Sequence, residues 1–450
     1  MSHLITRPSG AVSTTNACKL CAPLGACLAF KGVERAVPFI HGSQGCSTYI
    51  RRYLIGHFRE PMDISCSNFS EEAAVFGGAE AFCSGLANVN AQYRPSLIGI
   101  ATTCLAETIG EDLPLLLARA REQLGPDAPP LIAVSSPSYA GTHADGFHRA
   151  VRRLVEGLAV PGARTSHVNL FPGMFSPADL RWLSDLLAAF ALPGCVLPDY
   201  SDTLDGPTWD RYHDLPPGGT PISDIAATGS AAASVGLALA PAANDDAGTY
   251  LAERFAVPYH RLGAPVGIAA TDALLDTLST IAERPVPDRL RAQRGRLIDS
   301  YVDAHKFCNG RRAVLYGDED HVVALARFLA EIGIRPVVCA SGAASGLLRT
   351  ALADLDLATV TIMDDSDFSE IETAARAQNA ELVIGHSKGY ALARALEIPL
   401  VRVGLPVSDR IGGARIRNLG YDGTQALFDR IVNAIIEREQ ATNPVGYMTY

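Results

Sequence analysis

The sequence predicts an α/β protein built from three Rossmann-like, doubly wound domains with parallel sheets. Short runs of β-branched residues alternate along the chain with amphipathic helical segments, the pattern of helices packed on parallel sheets. The chain has 450 residues, which is enough for two to four domains at roughly 100–200 residues each. Hydrophobic residues make up 48% and charged residues 19%, so the chain can bury a large core and is not intrinsically disordered.

The predicted first domain is 1–160, and it contains two clear buried strands. The apolar runs at 95–104 and 130–138 each end in a polar loop. The predicted second domain is 161–300, with strands at 167–171 and 195–197.

Two further segments belong to this middle region. The segment 226–248 is rich in Ala, Ser and Gly, and we interpret it as a helix plus a loop because Val235, Leu237 and Leu239 can still be buried. A charged helix between residues 285 and 306 is predicted to connect the second domain to the third.

The predicted third domain is 301–450. It begins with a strand at 313–316, followed by an acidic turn and a helix that ends near residue 332. Further strands are predicted at 336–340, 360–363, 382–384 and 400–403, and further helices at 368–378 and 425–439. Asp318, directly after the first of these strands, is expected to cap the helix, since the glycine pattern of a dinucleotide site is absent.

Composition excludes several classes of protein. No apolar run approaches the ~18 residues that a membrane helix needs, and the longest, 186–197, is interrupted by Pro193 and Gly194. The first ten residues lack the apolar core of a signal peptide, so we expect a cytoplasmic protein. The net charge is −10 and no Lys/Arg cluster exceeds a pair, which argues against a nucleic-acid partner.

Ten cysteines are unevenly distributed, with seven in the first 104 residues. A large cytoplasmic protein is not expected to hold structural disulfides, so the crowding points to metal or cluster ligation. The Cys18–Cys21 pair has no second CxxC to complete a zinc site, and its surroundings do not match a thioredoxin-like redox motif. Two interpretations stay open at this point: iron–sulfur ligation by single cysteines from separate loops, and buried thiols.

Three loops carry the chemistry that favours a cluster. Gly42 and Gly45 precede Cys46, and glycine lets the backbone approach a bulky inorganic group and point its amides at sulfur. Cys104 follows a predicted strand, and Ser138 follows the next one along the chain. Ligands of open α/β sheets collect at such strand ends, so these loops can converge.

A series of motifs along the chain resembles the β-type subunits of nitrogenase component 1. They run in order over nearly the whole chain, from about residue 18 to 439. The motifs are CAPLGA at 21–26, HGSQGC at 41–46, HFREP at 57–61, AVFGG at 74–78, TTCLAE at 102–107, PSYAG at 137–141, RGRLID at 294–299, LYGD at 315–318 and VGLP at 403–406.

The resemblance implies a cofactor and partners. It implies an α₂β₂ heterotetramer with a paralogous α-type subunit, and an [8Fe–7S] P-cluster shared across the α/β interface. The implied β-side ligands are Cys21, Cys46 and Cys104, with Cys46 bridging the two cluster halves. Ser138 occupies the position whose hydroxyl joins the cluster on oxidation. An ATP-dependent [4Fe–4S] reductase, the iron protein, is implied as a transient partner.

Within the family, four relatives compete. The protochlorophyllide and chlorophyllide reductases lack the combined HGSQGC and HFREP pattern. Assembly-scaffold β subunits often keep only the HGSQGC cysteine and hold a [4Fe–4S] cluster. This chain keeps the full ligand set but has scaffold-like flanks, and Cys21 comes early, without a long preceding extension. The combination resembles most the β subunit of nitrogenase-like methylthio-alkane reductase, with the scaffold and a true nitrogenase β subunit as alternatives.

Other reactive residues are interpreted as structural. Cys18, Cys27, Cys66 and Cys83 match no ligand position, and we expect buried or interface thiols. The HFREP motif is either a solvated turn or part of the subunit interface. His143 lies near Ser138, but the GxSxG context of a hydrolase is missing. His305 and Cys308 are expected to be structural, because the β-type subunit has no active-site cofactor, and the chain itself has no predicted catalytic residue.

Overall fold

The computed structural model describes residues 17–355 and 360–445, which fold into two compact units. The N-terminal unit is Leu20–Arg261 with Gly412–Arg415. The C-terminal unit comprises Leu262–Ile411, the described residues from 416 onward, and 17–19. The N-terminal unit holds two sheets and the C-terminal unit holds one, so the division into three domains at 160 and 300 stays a prediction.

The first sheet of the N-terminal unit is fully parallel, with strand order β2-β1-β3-β4. Its strands are β1 (Ala36–His41), β2 (Ser65–Cys66), β3 (Leu97–Thr102) and β4 (Leu131–Val134). The helices that surround it are α1 (Ala22–Lys31), α2 (Gln44–Phe58), α3 (Glu71–Phe76), α4 (Ala79–Tyr93), α5 (Cys104–Thr108), α6 (Leu113–Leu124) and α7 (His143–Leu158). Strands β1 and β3 are buried along their whole length, as expected for central strands covered on both faces.

The second sheet is also parallel, with strand order β6-β5-β7-β8. Its elements are β5 (Val168–Phe171), α8 (Pro177–Ala189), β6 (Gly194–Val196), α9 (Ser201–Asp205), α10 (Ile222–Ala227), β7 (Ala233–Gly236), α11 (Ala247–Phe255) and β8 (Tyr259–Arg261). The interpretation of 226–248 as a helix plus a loop is wrong for part of this segment, because Ala233–Gly236 form the strand β7. This strand lies between β5 and β8 and is buried, and its small side chains leave room for the covering helices.

The C-terminal unit contains a five-stranded parallel sheet with order β11-β10-β9-β12-β13, the doubly wound arrangement. Its elements are α12 (Ile268–Ala282), α13 (Asp288–Cys308), β9 (Arg312–Gly317), α14 (Glu319–Glu331), β10 (Arg335–Ser341), α15 (Leu347–Ala351), β11 (Thr361–Met363), α16 (Phe368–Ala377), β12 (Leu382–Gly385), α17 (Tyr390–Ala395), β13 (Leu400–Arg402) and α18 (Gly420–Thr442). The predicted cap is confirmed, because Asp318 accepts a hydrogen bond from the His321 amide, with an N–O distance of 3.1 Å.

Helix α1 is buried on every side, which its uniformly apolar sequence requires. It crosses α7 backbone to backbone at two glycines. A Cβ atom on Gly25 would lie 1.7 Å from the carbonyl oxygen of His143, and one on Gly146 would lie 1.9 Å from that of Ala22. This close crossing fixes α1, and with it Cys21 at the start of the helix, against α7. Among the described residues, no helix is both long and apolar enough to cross a membrane.

Candidate metal-cluster site

The carboxyl edge of the first sheet carries the predicted ligands. Strand β1 leads into the loop of Cys46, β3 leads directly to Cys104, and β4 leads to the loop of Ser138. These three strands are parallel neighbours in the sheet, so their loops emerge side by side at one edge. The Ser138 amide donates a hydrogen bond to the Cys104 sulfur over 3.2 Å, which brings two of the loops into direct contact.

Cys21 reaches this edge from a different part of the chain. It is the N-cap residue of α1 and pairs as an antiparallel bridge with Thr142. Thr142 follows the Ser138 loop and caps α7 through a reciprocal capping box with Asp145. The start of α1 is therefore attached to the loop that carries Ser138.

Two of the thiols lie at the N-termini of longer helices. Cys21 is the N-cap residue of α1, which has ten residues, and Cys46 is the third residue of α2, which has fifteen. Helix N-termini present unpaired amides and the positive end of the helix dipole, so they stabilise negative charge there. Thiolates that ligate iron, and the anionic clusters that they hold, are favoured at such positions.

Two of the three thiols accept a hydrogen bond within the N-terminal unit, and the third has a phenol nearby. Besides the amide on Cys104, the Ser43 hydroxyl donates to the Cys46 sulfur over 3.5 Å, and Cys21 lies near the Tyr49 side chain. Burial, together with Cys21 and Tyr53, raises the pKa of Tyr49 above its ordinary value, so the phenol keeps its proton.

Ser43 occupies the N-cap position of α2 without capping the helix through its side chain. A serine there normally accepts a hydrogen bond from an amide of the first turn, an interaction worth about 1 kcal/mol. In this chain the Cys46 amide instead bonds to the Ser43 carbonyl oxygen, with an N–O distance of 3.2 Å, and the hydroxyl faces sulfur. The hydroxyl is thus available to a thiolate at position 46.

Replacing Ser43 by alanine is expected to lower the midpoint potential of a cluster held by Cys46. A hydrogen bond to a thiolate ligand withdraws electron density from sulfur and favours the reduced cluster, so its loss favours the oxidised one. Redox titration followed by electron paramagnetic resonance measures the shift. Thr48→Val is the matched control, since the Thr48 hydroxyl bonds only the Gln44 carbonyl oxygen on the same helix. Equal midpoints in the two variants would assign Ser43 no role at the sulfur.

Buried hydroxyls connect the Cys46 and Cys104 loops beneath the thiols. Thr103 donates both its amide and its hydroxyl to the carbonyl oxygen of His41, at 3.1 and 3.2 Å. Gly42 allows this approach, because a Cβ there would lie 2.1 Å from the Thr103 hydroxyl. The Ser67 hydroxyl lies 3.1 Å from His41 Nδ1 and accepts from the Gly42 amide at 3.0 Å. Burial lowers the pKa of His41 to about 4, so its ring is neutral at pH 7.

A second set of hydrogen bonds joins the Cys104 and Ser138 loops. The Thr102 hydroxyl donates to the Glu107 carboxylate and accepts from the Ser136 amide at 3.0 Å. The Ser136 hydroxyl in turn donates to the Thr102 carbonyl oxygen at 2.8 Å. Sequence reasoning missed the contributions of Ser67, Glu107 and Tyr49. Two of these residues could have been singled out from the sequence, because Tyr49 and Glu107 each lie one helical turn after a predicted ligand, Cys46 and Cys104.

The exposure of the cysteines fits a cluster that is shared with another surface. Cys21, Cys46 and Cys104 are half-buried, and space opens beside Gly45, where a Cβ would meet only Ser43 within 4 Å. In the part of the chain that the structure describes, no three His, Cys, Asp or Glu side chains converge tightly enough to hold a single metal ion. A polynuclear cluster has no such need, because its iron atoms are spread out and take one thiolate each. The residues fit one half of such a group.

The remaining cysteines divide into two kinds. Burial raises the pKa of the Cys18, Cys27, Cys195 and Cys339 thiols to about 12, and it raises that of Cys83 and, to about 11, that of Cys308. These six are packed in apolar surroundings and behave as small hydrophobic residues. Cys66 is not buried like these six, since it is half-buried at the end of β2, where the Ser47 hydroxyl lies 3.6 Å from its sulfur, so of the two predicted alternatives only the interface thiol remains for it.

The HFREP motif lies at the end of α2. His57 is buried, Arg59 ends the helix in the left-handed conformation at φ 65°, and Glu60 is half-buried. Burial, and then the nearby Asp205, raise the pKa of Glu60. His57 is therefore not part of a solvated turn, whereas Arg59 is exposed. His305 is exposed on α13, with Nδ1 2.9 Å from the Val302 carbonyl oxygen.

The fold has three parallel sheets and gathers cysteines from separate loops at one sheet edge, and comparison with known proteins gives the family. The chain belongs to the nitrogenase component 1 family, because the model of nitrogenase component 1 type oxidoreductases matches residues 21–436. The chain is 35% identical to the nitrogenase molybdenum-iron protein beta chain of Clostridium pasteurianum, over 94% of this chain and 93% of that one. It is 34% identical to the nitrogenase vanadium-iron protein beta chain of Trichormus variabilis, over 92% of each.

The same similarity holds for the three-dimensional structure. A chain of nitrogenase Cp1 at pH 6.5 superposes with a TM-score of 0.93 at 32% identity, covering 100% of this chain and 98% of that one. The predicted fold class, three Rossmann-like parallel-sheet layers of the component 1 type, is confirmed. This is a family of iron–sulfur oxidoreductase subunits.

Proposed function

We propose that this chain is the β subunit of a nitrogenase-like reductase and that it supplies half of the ligands of an [8Fe–7S] P-cluster. The observation that carries the proposal is the common position of Cys21, Cys46, Cys104 and Ser138 at one sheet edge. The three thiols are half-buried, whereas six of the other cysteines are buried in apolar surroundings. An incomplete but outward-facing ligand set is what a cluster shared with a second subunit requires.

In this proposal each residue has a distinct role. Cys46, at the N-terminus of α2, would be the thiolate shared by the two cluster halves, and Cys21 and Cys104 would be the other two thiolate ligands from this chain. When bound, the cluster relays electrons between the iron protein and a metallocluster of the α-type subunit. The contribution of this chain is to hold the thiolates in place, to stabilise their charge with helix N-termini, and to donate hydrogen bonds from the Ser43 hydroxyl and the Ser138 amide.

The proposed protein partners follow from the fact that this chain supplies only part of the cluster ligands. The chain would act only in an α₂β₂ complex with a paralogous α-type subunit, whose thiolates complete the cluster. The apolar side chains of Leu105 and Tyr139, which are 37% and 67% exposed, flank the ligand loops and would be covered there. An ATP-dependent [4Fe–4S] iron protein would dock transiently. No nucleic acid or membrane takes part in this proposal.

Ser138→Ala tests the fourth ligand. If the Ser138 hydroxyl ligates only the oxidised cluster, the variant keeps its iron content and its reduced-state spectrum. Its oxidised-state spectrum and midpoints change, because an anionic oxygen ligand stabilises the more positively charged cluster. The hydrogen bond to Cys104 comes from the backbone amide and survives the substitution. Redox titration with electron paramagnetic resonance is the measurement, and unchanged oxidised-state signals would make the serine structural.

For the reaction itself we propose reductive C–S cleavage of small methyl thioethers, as in methylthio-alkane reductase. Dimethyl sulfide would take up two electrons and two protons and give methane and methanethiol. Nitrogen reduction is the second candidate, and the names of the relatives favour it. The early position of Cys21 does not separate the two, since the Clostridium nitrogenase beta chain aligns over 93% of its own length. The presence of all three β-side cysteines together with Ser138 speaks against a cofactor-assembly scaffold.

The test is to purify the complex of this chain with its α-type partner and supply the iron protein, ATP and a reductant. Gas chromatography measures methane and methanethiol from dimethyl sulfide, and a parallel assay measures ammonia from dinitrogen. Methane formation that depends on ATP and on the thioether supports the proposal. Ammonia without methane would replace it by nitrogenase, and a complex that forms neither product and holds only a [4Fe–4S] cluster would replace it by the scaffold.

A further inference from the structure

The residue before Cys21 is held on both sides by one histidine. The backbone amide of Leu20 donates to Nδ1 of His143 at 3.3 Å, and the backbone amide of His143 donates to the carbonyl oxygen of Leu20 at 3.1 Å. Leu20 and His143 are 4% and 3% exposed, so water does not compete for these groups. The side chain and the main chain of His143 thus satisfy both backbone groups of Leu20.

Contacts on either side extend this attachment. Cys21 pairs with Thr142, the residue before His143. The His143 carbonyl oxygen lies where a Cβ of Gly25 would be, so the first turn of α1 rests on the first turn of α7. The capping box of Thr142 and Asp145 fixes the first turn of α7 itself. Of these contacts, only the Nδ1 bond depends on the identity of residue 143, since the others are made by the backbone or by the side chains of Thr142 and Asp145.

We propose that His143 is a positioning residue that fixes the Cys21 thiol relative to the loop carrying Ser138. The inference rests on the proposed function, because it assumes that Cys21, the residue that His143 helps to position, is a cluster ligand. The residues 138–142 connect the Ser138 amide, which bonds Cys104, with the Thr142 backbone, which pairs with Cys21. His143 closes this connection by holding Leu20. Cys21 and Cys104, which are separated by 83 positions in the sequence, are thereby kept at a fixed spacing.

Histidine suits this position because it offers a buried acceptor two bonds beyond Cβ. If residue 143 has no acceptor, the Leu20 amide is left buried without a hydrogen-bond partner. The segment of Leu20 and Cys21 is then expected to shift until the amide finds another partner. Asparagine places its Oδ1 at the same number of bonds from Cβ as Nδ1, whereas glutamine places its oxygen one bond further out. The Asn and Gln variants therefore have the same chemistry and differ in where the acceptor lies.

The experiment compares His143→Asn, His143→Gln and His143→Leu in the purified complex with the α-type subunit. We expect the asparagine variant to keep the wild-type iron content and oxidised-state paramagnetic resonance signal. The glutamine and leucine variants are expected to lose iron or to show an altered signal, with the midpoint potential of the remaining cluster displaced. His148→Leu, a buried histidine five residues further along α7, is the control and should keep both properties.

Each outcome decides the inference. Wild-type iron content, signal and midpoint in both the Gln and Leu variants would overturn it, as would equal losses in the Asn and Gln variants. If the leucine variant does not fold, the Asn and Gln pair still gives the answer. A wild-type complex that holds no interfacial eight-iron cluster would refute the proposed function instead, independently of any difference among the variants.

Discussion

Replacing Cys46 by alanine is expected to remove the interfacial cluster entirely. Alanine offers no sulfur to iron, and the Cys66 thiol, which lies on β2 and is bonded by the Ser47 hydroxyl, does not occupy the loop position of Cys46. The loss should appear as missing iron by metal analysis and as missing cluster signals by paramagnetic resonance of the complex.

Cys83→Ala is the matched control for this experiment. Cys83 lies in α4, is 9% exposed and packs in the core beside Phe82 and Leu86, so its replacement removes only a small apolar group. The variant should keep its full iron content, with stability lowered by roughly 1 kcal/mol. Equal iron loss in both variants would contradict the ligand assignment.

Gly146→Ala is expected to destabilise the N-terminal unit by about 3 kcal/mol, the upper end of the range for overpacking. Its Cβ would lie 1.9 Å from the Ala22 carbonyl oxygen, a backbone atom that no side-chain rotation can move aside. The intrinsic preference of helices for alanine over glycine, about 1 kcal/mol, is too small to offset this clash. The thermal midpoint of the complex should fall, and hydrogen exchange in α1 should become faster.

Gly295→Ala provides the comparison. Gly295 is exposed in α13 and its Cβ would have no neighbour within 4 Å, so the same substitution there should leave the midpoint unchanged or raise it. If Gly146→Ala is as stable as Gly295→Ala, the backbone crossing of α1 and α7 is not what holds Cys21 in place.

The sequence predicts those strands that are runs of large apolar residues. Residues 95–104 and 130–138 predicted β3 and β4 and the loops that follow, because β-branched runs that end in polar residues are characteristic of central parallel strands. The strand β7 was missed, since Ala233, Ser234 and Gly236 have weak strand preference. Tertiary packing between β5 and β8 overrides that preference.

The candidate site divides in a similar way. Cys104 and Ser138 were located by their position after predicted strands and Cys46 by the glycines before it, and all three also by family motifs, which are local features. The hydrogen bonds that hold the loops are not local. Ser67 reaches Gly42 across 25 positions, and His143 reaches Leu20 across 123, so only the folded structure reveals them. The sequence shows only that Ser43 lies between Gly42 and Gly45, and its contact with the Cys46 sulfur is evident only in the folded structure, where its side chain does not cap α2.

The measurement that tests the central claim most directly is Mössbauer spectroscopy of the complex, enriched in the Mössbauer-active iron isotope, for the wild type and for Cys46→Ala. The difference between the two spectra isolates the iron that this sheet edge holds, whatever the α-type subunit contains. The account predicts that the difference corresponds to one eight-iron cluster for each α/β interface. A difference that corresponds to a four-iron cluster, or no difference at all, would contradict it.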